Sequence, residues 1–149
     1  MSFFNSLDIA ASGLTAQKMR IDVLAQNLVN ADSTRTEDGT TYRRKMVVFQ
    51  ERAGDDFGTI LRKARYNDNT ASSPGGVHVV EIVEDQRALK PVYDPTHPDA
   101  DADGYVMLPN VDKIKEMSDM LSATRAYSAN ITALNAMKLM AGKALEIGK

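Results

Sequence analysis

The chain of 149 residues has no cysteine and no tryptophan. Disulfide frameworks, thiolate metal sites and cysteine nucleophiles are therefore excluded. Histidine is nearly absent too, only His78 and His97 being present, so imidazole chemistry has two places to reside. No apolar run reaches the roughly 18 residues that a membrane span needs. An excess of one charge is also lacking: 18 Lys and Arg stand against 20 Asp and Glu, a net of -2, without the basic surplus that draws a protein to nucleic acid. Met1–Ala10 carries neither the basic start nor the apolar core of a secretory signal, so none is expected there. Proline is missing from both ends, since Pro74, Pro91, Pro95, Pro98 and Pro109 are the only five. The pattern is two uninterrupted ends around a broken middle, at a length that suits one folding unit.

What is present at the ends is helical periodicity. Leu7, Leu14, Ile21 and Leu28 recur every seven residues, with Leu24 and alanines at the intervening offsets, predicting a helix over about residues 4–31. Asn5 is expected to cap its start, and Asn30 or Asp32 to end it. Gly13 inside it costs about 1 kcal/mol against alanine, which close approach of another backbone would explain. Met117, Met120, Tyr127, Ile131 and Leu134 step by three and four, with Leu121 widening the stripe, predicting a second helix over 111–147 capped by Asn110 and finished by Gly148. Neither stripe has enough partners within the chain to close a bundle, so the apolar surface left over is expected to meet other copies or other chains.

Between the ends the period changes to two. Residues 41–50, 76–83 and 105–108 are rich in strand formers, and one small antiparallel sheet is the economical reading, with 53–73 mostly loop. Three features of this middle invite a chemical reading. Asp99, Asp101, Asp103 and Gly104 match the first half of a calcium loop, but Asn110 stands at the twelfth position, where a bidentate carboxylate is needed, so a solvated acidic turn is expected. His97-Pro98-Asp99 copies the tripeptide of J-domain co-chaperones without the helical hairpin around it. Arg43-Arg44-Lys45 is the one basic cluster, read as an edge strand guarded by charge or a polar contact to an acidic neighbour. His78 is expected at the surface of a strand, and no nucleophile, base or cofactor cradle can be assembled, so neither an enzyme nor a cofactor is expected.

Several segments together carry a family resemblance. Ala11-Ser12-Gly13-Leu14-Thr15-Ala16, followed after ten residues by Asn27-Leu28-Val29-Asn30-Ala31-Asp32, resembles the N-terminal signature of bacterial flagellar rod and hook proteins, the axial family. Tyr42-Arg43-Arg44-Lys45, the run from Val92 through Tyr93, Pro95, His97, Pro98 and Asp99 to Asp101, Gly104-Tyr105-Val106, Pro109-Asn110-Val111, Arg125-Ala126-Tyr127 with Asn130, and Lys143–Gly148 narrow it to the proximal rod proteins. Ser128 departs from an acidic preference, and 53–75 follow no recognised pattern. The resemblance implies an α+β fold: terminal helices in segments 1–32 and 111–149 forming an antiparallel coiled coil, and a small β-rich middle domain over 33–110 with a loop at 53–76. It implies a structural subunit of the rod, transmitting torque from the motor ring to the distal rod and hook. Export without a cleaved signal, by the flagellar type III apparatus, is implied as well. The implied neighbours are other copies, the proximal rod proteins FlgB and FlgF, the rod adaptor FliE and the distal rod protein FlgG. Leu7, Leu14, Ile21, Leu24, Leu28, Met117, Met120, Leu121, Tyr127, Ile131 and Leu134 are the expected assembly surface. The alternatives are another axial subunit or a small periplasmic calcium-binding module.

Overall fold

A computed structural model describes residues 3–52, 58, 61, 65 and 75–147 of the chain. Apart from those single positions, the expected loop at 53–73 lies outside the described residues, as does the expected finish at Gly148. Helix α1 spans Phe3–Val29, strands β1 to β4 span Lys45–Glu51, Val77–Glu84, Lys90–Tyr93 and Tyr105–Leu108, and helix α2 spans Lys113–Ile147. At 1.5 Å per residue the helices are about 40 and 52 Å long.

The two helices lie antiparallel. Asn27 near the end of α1 is hydrogen-bonded to Glu116 near the start of α2, and a Cβ on Gly13 would sit 3.1 Å from the Asn130 side chain. Both pairs fix one register, their residue numbers adding to 143 in each case. The close approach at Gly13 is thus to a side chain and not, as expected, to a backbone. The seam also differs from the predicted one. Its most buried members are Ala16, Val23, Leu24, Asn27, Glu116 and Ala123, the last only 1% exposed, while Leu14, Ile21 and Leu28 are half-buried beside it. Small residues allow two helices to approach closely; of the predicted stripe Leu24 stays buried, while Leu14, Ile21 and Leu28 lie at the flanks.

Capping differs as well. Asn5 is inside α1, not before it. The end of α1 is closed by Asn30, whose amide donates to the Gln26 carbonyl and whose oxygen accepts from the Ser33 hydroxyl. At α2 the cap is Asp112 and not Asn110: its Oδ1 accepts from the Ile114 and Lys115 N–H groups, occupying donors that a helix start leaves unpaired.

Among the described residues the middle holds two separate two-stranded antiparallel sheets, β1 with β2 and β3 with β4, instead of one. In the first, Lys45 pairs with Glu84 and Glu51 with Val77, and a bulge leaves Val80 without a partner between the Val48 and Phe49 pairings. Residues 41–44 stay outside the strand, because the Arg44 N–H is drawn to the Asn110 side chain. Strand β3 was hidden by Pro91, which is tolerated because each strand of a two-stranded ribbon is an edge. The β1–β2 ribbon is fastened to α1 by Ser12, whose hydroxyl donates to the Ile9 carbonyl and accepts from the Val77 N–H. That fastening explains Gly76: its φ is 98°, and a Cβ there would lie 2.1 Å from Ser12 Oγ.

Candidate functional site

Where the helical pair meets the middle, six polar residues from five segments form a buried hub. Asn27 and Glu116 are both 0% exposed. The Asn27 amide uses its full capacity: Nδ2 donates to the Lys45 carbonyl and to Glu116 Oε2, at 2.8 and 2.9 Å, and Oδ1 accepts from the Tyr42 hydroxyl and the Lys45 N–H, both at 2.9 Å. The other Glu116 oxygen accepts from Arg44 Nε at 2.6 Å. Asn110 joins the next layer, accepting from the Arg44 N–H and donating to the Asp85 and Arg87 carbonyls. Asp85 lies 3.9 Å from the Arg44 guanidinium and accepts a two-oxygen grip from Arg87.

Two hub groups are shifted, one by hydrogen bonding and one by burial. Hydrogen bonds from Arg87, first its side chain and then its backbone N–H, hold the Asp85 carboxyl down to about 2. Burial, seconded by the Glu116 and Glu84 carboxylates, pushes the Tyr42 hydroxyl up to about 12. A buried ion pair is stable only when its remaining hydrogen-bonding capacity is filled. Here each Glu116 oxygen accepts one hydrogen bond, from Asn27 and from Arg44, and the result binds α1, β1, the 84–87 turn, the chain before α2 and α2 itself.

The outer faces of the helical pair contrast with the hub. Phe4, Leu139 and Leu145 are 77%, 71% and 77% exposed at one end, and Ile114 is 82% exposed at the other. Met117, Leu121 and Ile131 also stand exposed along α2, whereas Leu7, Met120, Tyr127 and Leu134 are half-buried. Phe4, Leu7, Ala11 and Leu134 line an open groove of about 540 Å³. The total accessible surface, 10573 Å², compares with about 7,500 Å² for a compact monomer of this mass.

The features of the middle that suggested chemistry resolve into structure. Asp101 Oδ1 accepts from the Asp103 and Tyr105 N–H groups, Asp99 accepts from the Thr34 hydroxyl, and the chain turns at Gly104 with φ 80°. The carboxylates serve the β3–β4 turn, and no cluster of three metal-binding side chains occurs among the described residues. His97 belongs to the same turn, its Nδ1 accepting from the Asp99 N–H. His78 is exposed on β2. The basic cluster is not an edge guard: Arg44 is buried on Glu116, the polar contact to an acidic neighbour, and Arg43 donates to the Arg87 carbonyl at 3.3 Å. Among the described residues no helix is long and apolar enough to cross a membrane.

With the geometry in place, known proteins supply the context. A family model described as flagellar basal body rod FlgEFG protein C-terminal matches residues 102–147. The flagellar basal-body rod protein FlgC of Bacillus subtilis is 50% identical, with both chains covered completely. That of Borreliella burgdorferi is 44% identical over 99% of this chain and 98% of its own. That of Aquifex aeolicus is 36% identical over all of this chain and 99% of its own. The chain belongs to the FlgC family. It is therefore a structural subunit of the flagellar basal-body rod, located in the flagellar basal body and associating with other rod components.

The resemblance residues of this FlgC-family chain fall into two groups. Asn27, Tyr42, Arg43 and Asn110 gather at the hub, with Gly13 and Asn130 facing each other further along the same seam. Tyr93, Pro95, His97, Pro98, Asp99, Gly104 and Tyr105 shape the β3–β4 turn, where the two tyrosine rings meet edge to face at 5.3 Å. Asn30 closes α1, Ala126 is half-buried and Arg125 is exposed on α2. Glu116 and Asp85 were not anticipated. The available signal for Glu116 was its position seven residues before Ala123, which carries a charge into the seam.

Proposed function

We propose that this chain builds the rod by presenting the outer faces of its helical pair to neighbouring subunits. The observation that carries the proposal is how many large apolar side chains the pair leaves exposed: Val23 and Leu24 are buried, but Phe4, Ile114, Met117, Leu121, Leu139 and Leu145 stand outside the seam. Covering a Leu, Ile or Phe is worth about 1.5–3 kcal/mol each, so the exposed set favours polymer over free chain. In this reading the pair packs as an antiparallel coiled coil lining the tube. Segments 1–32 and 111–149 form that layer, and segment 33–110 lies outside it.

Torque passes along such a rod because densely packed side chains resist slip. The function is mechanical, without catalysis or cofactor. Neighbours would be other copies and the proximal rod, adaptor and distal rod proteins, FlgB, FlgF, FliE and FlgG, after export by the flagellar type III apparatus.

Ile21→Asp and Ile131→Asp test the proposal, since each places a carboxylate on a flank of the pair where a neighbour would bury it. The expected outcome is a chain made in normal amount but absent from detergent-extracted basal bodies, in cells that do not swim. Normal swimming with either variant would refute it.

A further inference from the structure

We infer that the Asn27–Glu116 pair, seated on Arg44, determines the register in which α1 and α2 associate. The inference rests on the antiparallel pairing of the helices in the proposed function and names the residues that specify it. The rest of the seam discriminates poorly. Gly13, Ala16 and Ala123 are small and offer little to interlock, and the apolar Val23 and Leu24 lose no hydrogen bond when one helix slides by a turn.

The hub is different. A slip of one turn moves Glu116 by about 5.4 Å, beyond hydrogen-bond reach of Asn27. The carboxylate then keeps at most one of its two partners, while Asn27 loses an acceptor. A single polar residue in an otherwise apolar helix interface is a known means of fixing register. In this chain the polar layer is also tied to β1 through Lys45 and Tyr42. The correct register is therefore favoured only when the middle is folded beside the helices.

Because the chain has no cysteine, a pair of introduced thiols reads the register directly. Gly13→Cys combined with Asn130→Cys reports the observed register, and Gly13→Cys combined with Ala126→Cys or Leu134→Cys reports a slip of one turn, which disulfide geometry distinguishes. With the hub intact, the 13/130 pair is expected to close within one chain at least about tenfold faster than either slipped pair. Adding Glu116→Gln, which keeps the shape but turns a donor toward either Asn27 or Arg44, both of which need an acceptor, is expected to lower that ratio about tenfold or more. Glu146→Gln on the exposed part of α2 is expected to leave it unchanged.

A double variant, Asn27→Leu with Glu116→Leu, keeps the volume apolar and guards against misfolding of the first. It is expected to retain helical circular dichroism and to close all three pairs at similar rates. An unchanged ratio in both hub variants would overturn the inference. Failure of the 13/130 pair to close with the hub intact would instead overturn the antiparallel pairing on which the proposed function depends.

Discussion

The two ends of the helical pair use opposite materials. At the hub end, α1 and α2 are joined through buried amide, carboxylate and guanidinium groups with every Asn27 hydrogen bond made. At the other end, Phe4, Leu139 and Leu145 stand bare. Polar groups buried without partners are costly, so a polar joint works only if all members are present, which suits a contact made within one chain. Apolar surface is less demanding about geometry and gains in proportion to the area covered, which suits contacts made later and many times over. The chain thus closes the hub on itself and leaves the opposite end, like the outward face at Ile114, to its surroundings.

Substitution at each end should break this contrast in opposite directions. Glu116→Ala leaves the buried Arg44 with only its 3.9 Å contact to Asp85 and leaves Asn27 short of an acceptor, and is expected to cost about 3 kcal/mol in urea unfolding of the free chain. Leu139→Asp at the open end is expected to change that stability by no more than about 0.5 kcal/mol, yet to exclude the chain from rods. Equal destabilisation by the two would erase the distinction between a self-contained joint and an offered surface.

A smaller effect should appear with pH, on the alkaline side through the hub and on the acid side through the hub together with Asp94, whose carboxyl is held down by hydrogen bonds from Thr96. Tyr42 has its folded value raised to about 12, so its contribution is fully present below the unfolded value of about 10 and is lost as pH rises toward 12. Asp85 has its folded value lowered to about 2, so its contribution is present above the unfolded value of about 3.9 and fades as pH falls toward 2. The thermal midpoint is expected to decline in both windows. Tyr42→Phe should flatten the alkaline decline, and a residual slope unchanged by that substitution would remove the tyrosine from the account.

Much of the architecture was legible because it rests on local pattern. Both long helices followed from heptad-like spacing, and three of the four strands from alternation, with errors of a few residues at their ends. Pro91 concealed the fourth strand because a ribbon edge forgives what a central strand would not. The hub was opaque to chemistry read along the chain. Glu116 looks like any solvated glutamate on a helix, and Asp85 like a turn residue, until packing brings positions 27, 44, 85 and 116 together. Asn27 and Tyr42 were noticed through family resemblance and not through any bond they could be foreseen to make, and Asn110 was foreseen as a helix cap, a role that Asp112 takes. The seam misled in part through size: Leu24 is buried as its place in the stripe suggests, but Leu14, Ile21 and Leu28 are only half-buried, and Gly13, Ala16 and Ala123 take the closest positions.

The mildest prediction contrasts two side-chain oxygens, each accepting two N–H or O–H bonds. Asn27 Oδ1 does so inside the hub, from Tyr42 and Lys45, and Asp101 Oδ1 does so on the exposed β3–β4 turn, from Asp103 and Tyr105. Asp101→Asn retains an acceptor at Oδ1 and removes a charge that solvent already screens, so it is expected to cost less than about 0.5 kcal/mol. Swimming should be unaffected. The same turn supplied the resemblance to a calcium loop, in which Asp101 would be a ligand, and loss of one carboxylate ligand would weaken metal binding sharply. Loss of rods with Asp101→Asn alone, or calcium-dependent stability abolished by it, would transfer the functional weight from the helices to the turn.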